Sequence, residues 1–112
     1  MNFDEALAHA LTLDGAERAT SYGQPAAKAN GNAFLNVGHE PENSFVLQLD
    51  PGVIDWLLAT HPETFWKTAH YEGYPAILVR YATSDDDLVR EMIESACARA
   101  GAKKAPRPRK AK

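Results

Sequence analysis

Cysteine is almost missing from this sequence. Cys97 is the single one in 112 residues, so no disulfide framework forms within the chain, and a reducing compartment is the expectation. Long apolar runs are missing too. None approaches the roughly 18–20 residues of a membrane span. The first stretch, MNFDEALAHALTLDG, lacks the basic start of a secretory signal. No Walker loop, GxGxxG turn or GxSxG elbow is present, which removes the main nucleotide-binding and hydrolase signatures. His9, His39, His61 and His70 form no HxH, HxxxH or HExxH spacing, and Cys97 has no partner cysteine to build a metal site. The expectation is a soluble, cytoplasmic, non-enzymatic protein with no metal, no cofactor and no membrane partner.

What is present fits one domain. A chain of this length buries about two-thirds of its unfolded surface and needs no disulfide or metal to fold. Charge is unevenly distributed. Residues 1–101 hold all 15 acidic side chains and six basic ones, a balance of −9. The last eleven residues, AKKAPRPRKAK, hold Lys103, Lys104, Arg107, Arg109, Lys110 and Lys112 with no acid, a balance of +6. Residues 1–101 are therefore expected to form the domain, and residues 102–112 a disordered basic tail.

Periodicity gives the elements. A helix is expected over about Phe3–Thr12, with Asn2 and Glu5 at capping-box spacing and Phe3, Leu7, Ala10 and Leu11 on one side. Strands follow at Thr20–Tyr22, Ala26–Ala29 and Ala33–Val37, with Asn30-Gly31 as a hairpin turn. Ser44–Asp50 alternates, with Phe45, Leu47 and Leu49 on one face and Ser44, Val46 and Gln48 on the other. Asp50-Pro51 opens a second helix with Val53, Ile54, Leu57 and Leu58 as its stripe. A third helix starts with Ser84 as N-cap, runs through Leu88, Val89, Met92, Ile93, Ala96, Cys97 and Ala100, and ends at Gly101. The order is helix, about three strands, helix, two strands, helix. That is an α+β, two-layer fold with a mostly antiparallel sheet and all helices on one face.

The stretch Phe65–Tyr81, FWKTAHYEGYPAILVRY, combines a hairpin with a crowd of groups able to bind something. Thr68, His70, Tyr71 and Tyr74 form a candidate surface site near its turn. Lys28, Lys67 and Arg80 are candidate phosphate contacts on the body, with Arg80 on the sheet face away from the helices. The six tail cations suit loose phosphate contacts without sequence readout. Cys97 lies on the apolar side of its helix and reads as a small core residue.

In order and spacing these residues resemble the MmcQ/YjbR-like family of small bacterial proteins. The carrying stretches are Leu13-Asp14-Gly15-Ala16-Glu17, Ser21-Tyr22-Gly23-Gln24-Pro25 and Lys28 through Asn30-Gly31 to Ala33-Phe34. Thr68-Ala69-His70-Tyr71-Glu72-Gly73-Tyr74-Pro75 and Leu78-Val79-Arg80 complete them. The likeness covers roughly residues 3–100. Asp14 stands where the family usually has proline, and Ala26-Ala27 where an aromatic often follows. The resemblance implies an α-β(3)-α-β(2)-α arrangement, similar to secretion-chaperone-like folds, and a DNA-binding role. Three functional readings stay open. One is DNA binding through the tail, aided by Lys28, Lys67 and Arg80. Another is a protein-interaction module or homodimer using the open sheet face with Trp66, Tyr71 and Tyr74. The third is a small-molecule site around His70, Tyr71 and Lys67.

Overall fold

The computed structural model describes residues 1–38 and 40–105, with His70 described by its backbone alone. The elements are α1 (Phe3–Ala10), β1 (Ala16–Ser21), β2 (Gln24–Ala29), β3 (Asn32–Asn36), β4 (Ser44–Gln48), α2 (Pro51–Thr60), β5 (Phe65–Trp66), β6 (Ala76–Arg80) and α3 (Asp86–Ala102). A 3-10 turn, Ala69–Tyr71, separates β5 from β6. The fold is α+β, with one antiparallel six-stranded sheet in the order β1-β2-β3-β4-β6-β5. Four strands, not three, lie between α1 and α2. Ala16–Ser21 is a full edge strand where a three-residue one was expected, because it pairs along all of β2.

Local chemistry starts the helices. The Glu5 amide donates to Asn2 Oδ1 (2.8 Å) and the Asn2 amide to Glu5 Oε1 (2.9 Å), the expected capping box. Asp50 Oδ2 accepts from the Gly52 amide at 3.0 Å, with Pro51 opening α2. The α1 helix stops at Ala10, short of the expected Thr12. Asp85, not Ser84, caps α3, and its amide donates to Thr83 Oγ1 at 3.0 Å. Thr64, fully buried, donates to Asp85 Oδ2 (2.6 Å) and accepts from Thr83 Oγ1 (2.6 Å), tying the β5 end to the start of α3.

The end of α3 also departs from expectation. Gly101 lies inside the helix, which runs to Ala102. Side chains from the β2–β3 turn satisfy its last carbonyls. Asn32 Nδ2 donates to Ala100 O (3.1 Å) and Lys104 O (3.3 Å), and Asn30 Nδ2 to Lys103 O (2.8 Å). Orphan carbonyls at a helix end need such partners, so no glycine cap is required.

Both turns of the β1-β2-β3 meander are two residues long with positive φ at both positions. Asn30-Gly31 has φ of 52° and 79°, and Tyr22-Gly23 has 53° and 79°. This is the type I′ pattern that matches strand twist. The left-handed region costs an L-residue roughly 1–2 kcal/mol, with asparagine among the few tolerant types. Tyrosine is not one of them.

The helices cover one sheet face. Ala27, Leu35, Leu47 and Ile77 line up there in register, as do Phe45, Val79 and Phe65. A register shift between Ala27 and Lys28 leaves Phe34 as an extra residue in β3, so Phe34 and Leu35 are both fully buried. The other face carries the row Ala19, Ala26, Asn36, Val46, Leu78, Trp66. The expectation of an open face is corrected here. Val46, Leu78 and Ser44 are at most 1% exposed. Trp66 and Tyr71 pack on them, and the β3–β4 connection crosses over them at Gly38.

Replacing Asn32 with alanine is expected to destabilise the domain by about 1 kcal/mol, since the part-buried Ala100 carbonyl loses a side-chain donor. A thermal melt should show a midpoint lower by several degrees. An unchanged midpoint would mean the α3 cap does not depend on this side chain.

Candidate binding groove

Beside the covered part of the second face the surface drops into a groove of about 910 Å³. One rim is the tip of the β1–β2 hairpin, with Ser21, Tyr22 and Gln24. The opposite rim comes from the end of the 3-10 turn and the segment after it, with Tyr71, Tyr74 and Pro75. Asn36 and Gln48 lie between the rims, with Ala33 and Ala76, and Val37, Gly38 and Pro41 close one end. Among the described residues no lining side chain is charged at neutral pH, although 24% of the chain is charged.

The walls are pinned by hydrogen bonds. Gln48 Nε2 donates to Asn36 Oδ1 (2.8 Å), and Asn36 Nδ2 donates to Val37 O (3.0 Å). Those two bonds fix both carboxamide orientations. They leave Gln48 Oε1 shut off from solvent with no hydrogen bond from any described residue. The crossing connection is held by Ser44 Oγ donating to Glu40 O (2.9 Å) and Tyr81 Oη donating to Pro41 O (2.9 Å). Lys67 Nζ donates to Tyr74 O at 3.0 Å and steadies the far rim.

Of the four residues singled out near the hairpin turn, Tyr71 and Tyr74 reach the groove. Thr68 stands before the 3-10 turn, where its carbonyl accepts from the Tyr71 amide at 3.0 Å. The His70 side chain lies outside what is described. The three body cations are not gathered. Lys28 sits opposite Glu17 in the β1–β2 register. Arg80 stacks over the Trp66 ring, 4.1 Å from its centre. Lys28 and Arg80 lie three strands apart, about 14 Å at the usual strand spacing of ~4.8 Å. Lys67 borders a smaller hollow, of about 340 Å³, beside α2 with Arg99 and Asp55. Lys103 and Lys104 follow α3 and are exposed. Arg107, Arg109, Lys110 and Lys112 lie outside the described residues.

Sequence reasoning missed Ser21, Tyr22, Gln24, Asn36 and Gln48. Alternation does place Gln48 away from the core, but which strands flank it is a matter of topology. Cys97 is buried, and its Sγ lies 3.8 Å from Asp14 O. Burial first, then the Asp14 charge, pushes its thiol up, opposite to an activated nucleophile. Among the described residues no three His, Cys, Asp or Glu side chains cluster as metal ligands, and no helix is long and apolar enough to cross a membrane.

No family model matches the chain, and no solved structure matches it. Among curated proteins it is similar to uncharacterised proteins of Mycobacterium bovis and Mycobacterium tuberculosis, at 33% identity over 76 residues. The alignment covers 65% of this chain and 59% of each of those relatives. The chain therefore spans less than two-thirds of their length, and their names carry no activity.

Two outcomes test this geometry. A methyl group on Gly38 would sit 2.5 Å from Val46 Cγ2 and 2.9 Å from Tyr71 Oη. Gly38→Ala is expected to cost about 1–3 kcal/mol by overpacking and to change the near-ultraviolet dichroism of the groove tyrosines. An unaltered melt and spectrum would put the connection elsewhere. Burial, then the charges of Asp4 and Glu42, raise the Tyr81 phenol above its usual value of about 10. Its contribution to stability is therefore complete below about pH 10 and lost as pH rises through the folded-state value. Ultraviolet titration should show one late-ionising tyrosine that disappears in Tyr81→Phe.

Proposed function

We propose that this chain is a non-catalytic interaction module, and that its working surface is the groove on the sheet face away from the helices. One observation carries the reading: among the described residues the groove is lined by tyrosine, carboxamide and proline groups with no charged side chain. Such a lining suits a partner bound by ring contact and neutral hydrogen bonds. Among the described residues it offers no cation to a phosphate and no acid–base pair to a reaction. Its size and half-open form favour a protein segment laid across it over an enclosed small molecule. Kinship with the MmcQ/YjbR-like proteins is part of the proposal, supported by the stretches that resemble them and by an element order differing by one strand. A bacterial cytoplasmic setting is supported by the mycobacterial relatives and the single buried cysteine.

A synthetic peptide array tests the module, probed with the full chain and with Ala33→Trp, which fills the groove from its floor. Peptides retained by the natural chain and lost by a folded Ala33→Trp support the reading. Equal retention by both places the working surface elsewhere.

Charge segregation favours a second reading for the tail. An excess of six cations in eleven residues suits nonspecific contact with DNA. Fluorescence anisotropy of a labelled duplex across a salt series should show binding that salt abolishes. Replacing Arg107, Arg109, Lys110 and Lys112 with glutamine should remove it. Binding that persists in that variant would move the contact to the body.

A further inference from the structure

The two meander turns are an internal comparison. Both are two-residue turns flanked by directly paired residues, Ser21 with Gln24 and Ala29 with Asn32. Their φ values agree within a degree. One uses asparagine at the strained first position, and the other uses Tyr22. The strain at Tyr22 is not offset by packing, because its side chain is fully exposed, at 102% relative exposure. Among the described residues its hydroxyl has no hydrogen-bond partner. The difference between the two turns is location: Tyr22 lines the groove, whose lining includes a second exposed tyrosine, Tyr74, at 63%. A strained, exposed aromatic is a poor choice for the turn and a good one for a contact, since tyrosine gives large contact area at small entropic cost.

We infer that Tyr22 is the anchor of a docking site for an extended, basic, proline-containing peptide segment. This rests on the groove reading above. Tyrosine rings and Pro75 offer flat apolar walls to proline rings. Asn36, Gln48 and Gln24 place carboxamides beside a backbone whose carbonyls have no internal partners in the extended proline-rich form. The sign of the partner's charge follows from the net charge of the domain and from acidic sequence neighbours of the lining residues. Glu40 and Glu42 flank Pro41, Glu72 follows Tyr71, and residues 1–101 carry −9. Cations on either side of the prolines are drawn to that field, and an acidic segment is repelled. The sequence of residues 102–112, AKKAPRPRKAK, has this chemistry and supplies the probe.

The test is anisotropy of labelled AKKAPRPRKAK, and of the same peptide with both prolines changed to alanine. Each is titrated with the full chain, with Tyr22→Asn and with Ala33→Trp, and thermal melts are run on all three proteins. Tyr22→Asn is expected to melt at or above the natural chain, because asparagine suits the turn, while binding the peptide about tenfold or more weakly. The proline-free peptide is expected to bind several-fold more weakly to the natural chain. Natural affinity in Tyr22→Asn with loss in Ala33→Trp overturns the Tyr22 inference and leaves the groove reading standing. Natural affinity in both variants overturns both. A lowered melt for Tyr22→Asn shows that the tyrosine serves the fold and overturns the inference. So does absence of binding to the natural chain, or equal binding of the two peptides.

Discussion

The structure depends on β4 and β6 being buried on both faces. The two strands pair along their full length, Ser44 with Arg80 through Gln48 with Ala76. Phe45, Leu47, Ile77 and Val79 fill the helical side, and Val46 and Leu78 need cover on the other. The chain supplies it without a helix, by laying the connection after β3 and the segment around the 3-10 turn across that face. The cover ends near β4, and beyond it the sheet surface is lower. The groove is that step. Its walls are the edges of the cover and the hairpin that rises opposite. The groove is thus a by-product of burying two apolar side chains.

Features set by neighbouring residues were legible in the sequence. The Asn2–Glu5 box, the Asp50-Pro51 start and the Asn30-Gly31 turn each lie within a few residues, and each formed. The helix-facing alternation of β4 and β6 was legible because it repeats every second residue. What failed was set by distant contacts. Gly101 looked like a helix stop, but Asn30 and Asn32, about 70 residues away, let the helix continue. Val46 sits at a position that alternation assigns to solvent, and only the path of the crossing connection buries it. The groove residues come from four separate segments, so no local pattern joins them. Tyr22 reads in sequence as the end of a strand, whereas the structure places it in the turn. That it is the wrong residue for that turn emerges only beside its asparagine counterpart.

Charge tells against a phosphate-binding body. Arg80 is spread over Trp66, Lys67 is engaged with a carbonyl, and Lys28 faces Glu17. Two of the three are engaged locally, and all three lie at separate places on the domain. A duplex gripped by the body would need several cations along one track, set against a surrounding excess of nine negative charges. The tail concentrates the positive charge in a different part of the chain. The electrostatics therefore describe two objects of opposite charge, and a single nucleic-acid surface does not account for both.

The groove's rigidity bears on how it can bind. Binding pays for every loop and side chain that it must order. Here most of that ordering belongs to folding. Tyr81 and Ser44 hold the crossing connection, Lys67 holds the Tyr74 carbonyl, and Asn36 fixes Gln48. Tyr71 belongs to both systems, packing over Val46 and Leu78 while lining the groove. The shape of the groove is therefore coupled to the cover of the sheet, and it cannot change without exposing part of that second core. The exception is Tyr22, which is fully exposed and touches no other wall. A preformed channel with one free aromatic on its rim is suited to capturing a flexible segment, because the ordering cost then falls mainly on the partner. An extended, proline-containing chain has little conformational freedom to lose, so the two halves of that argument point to the same kind of ligand.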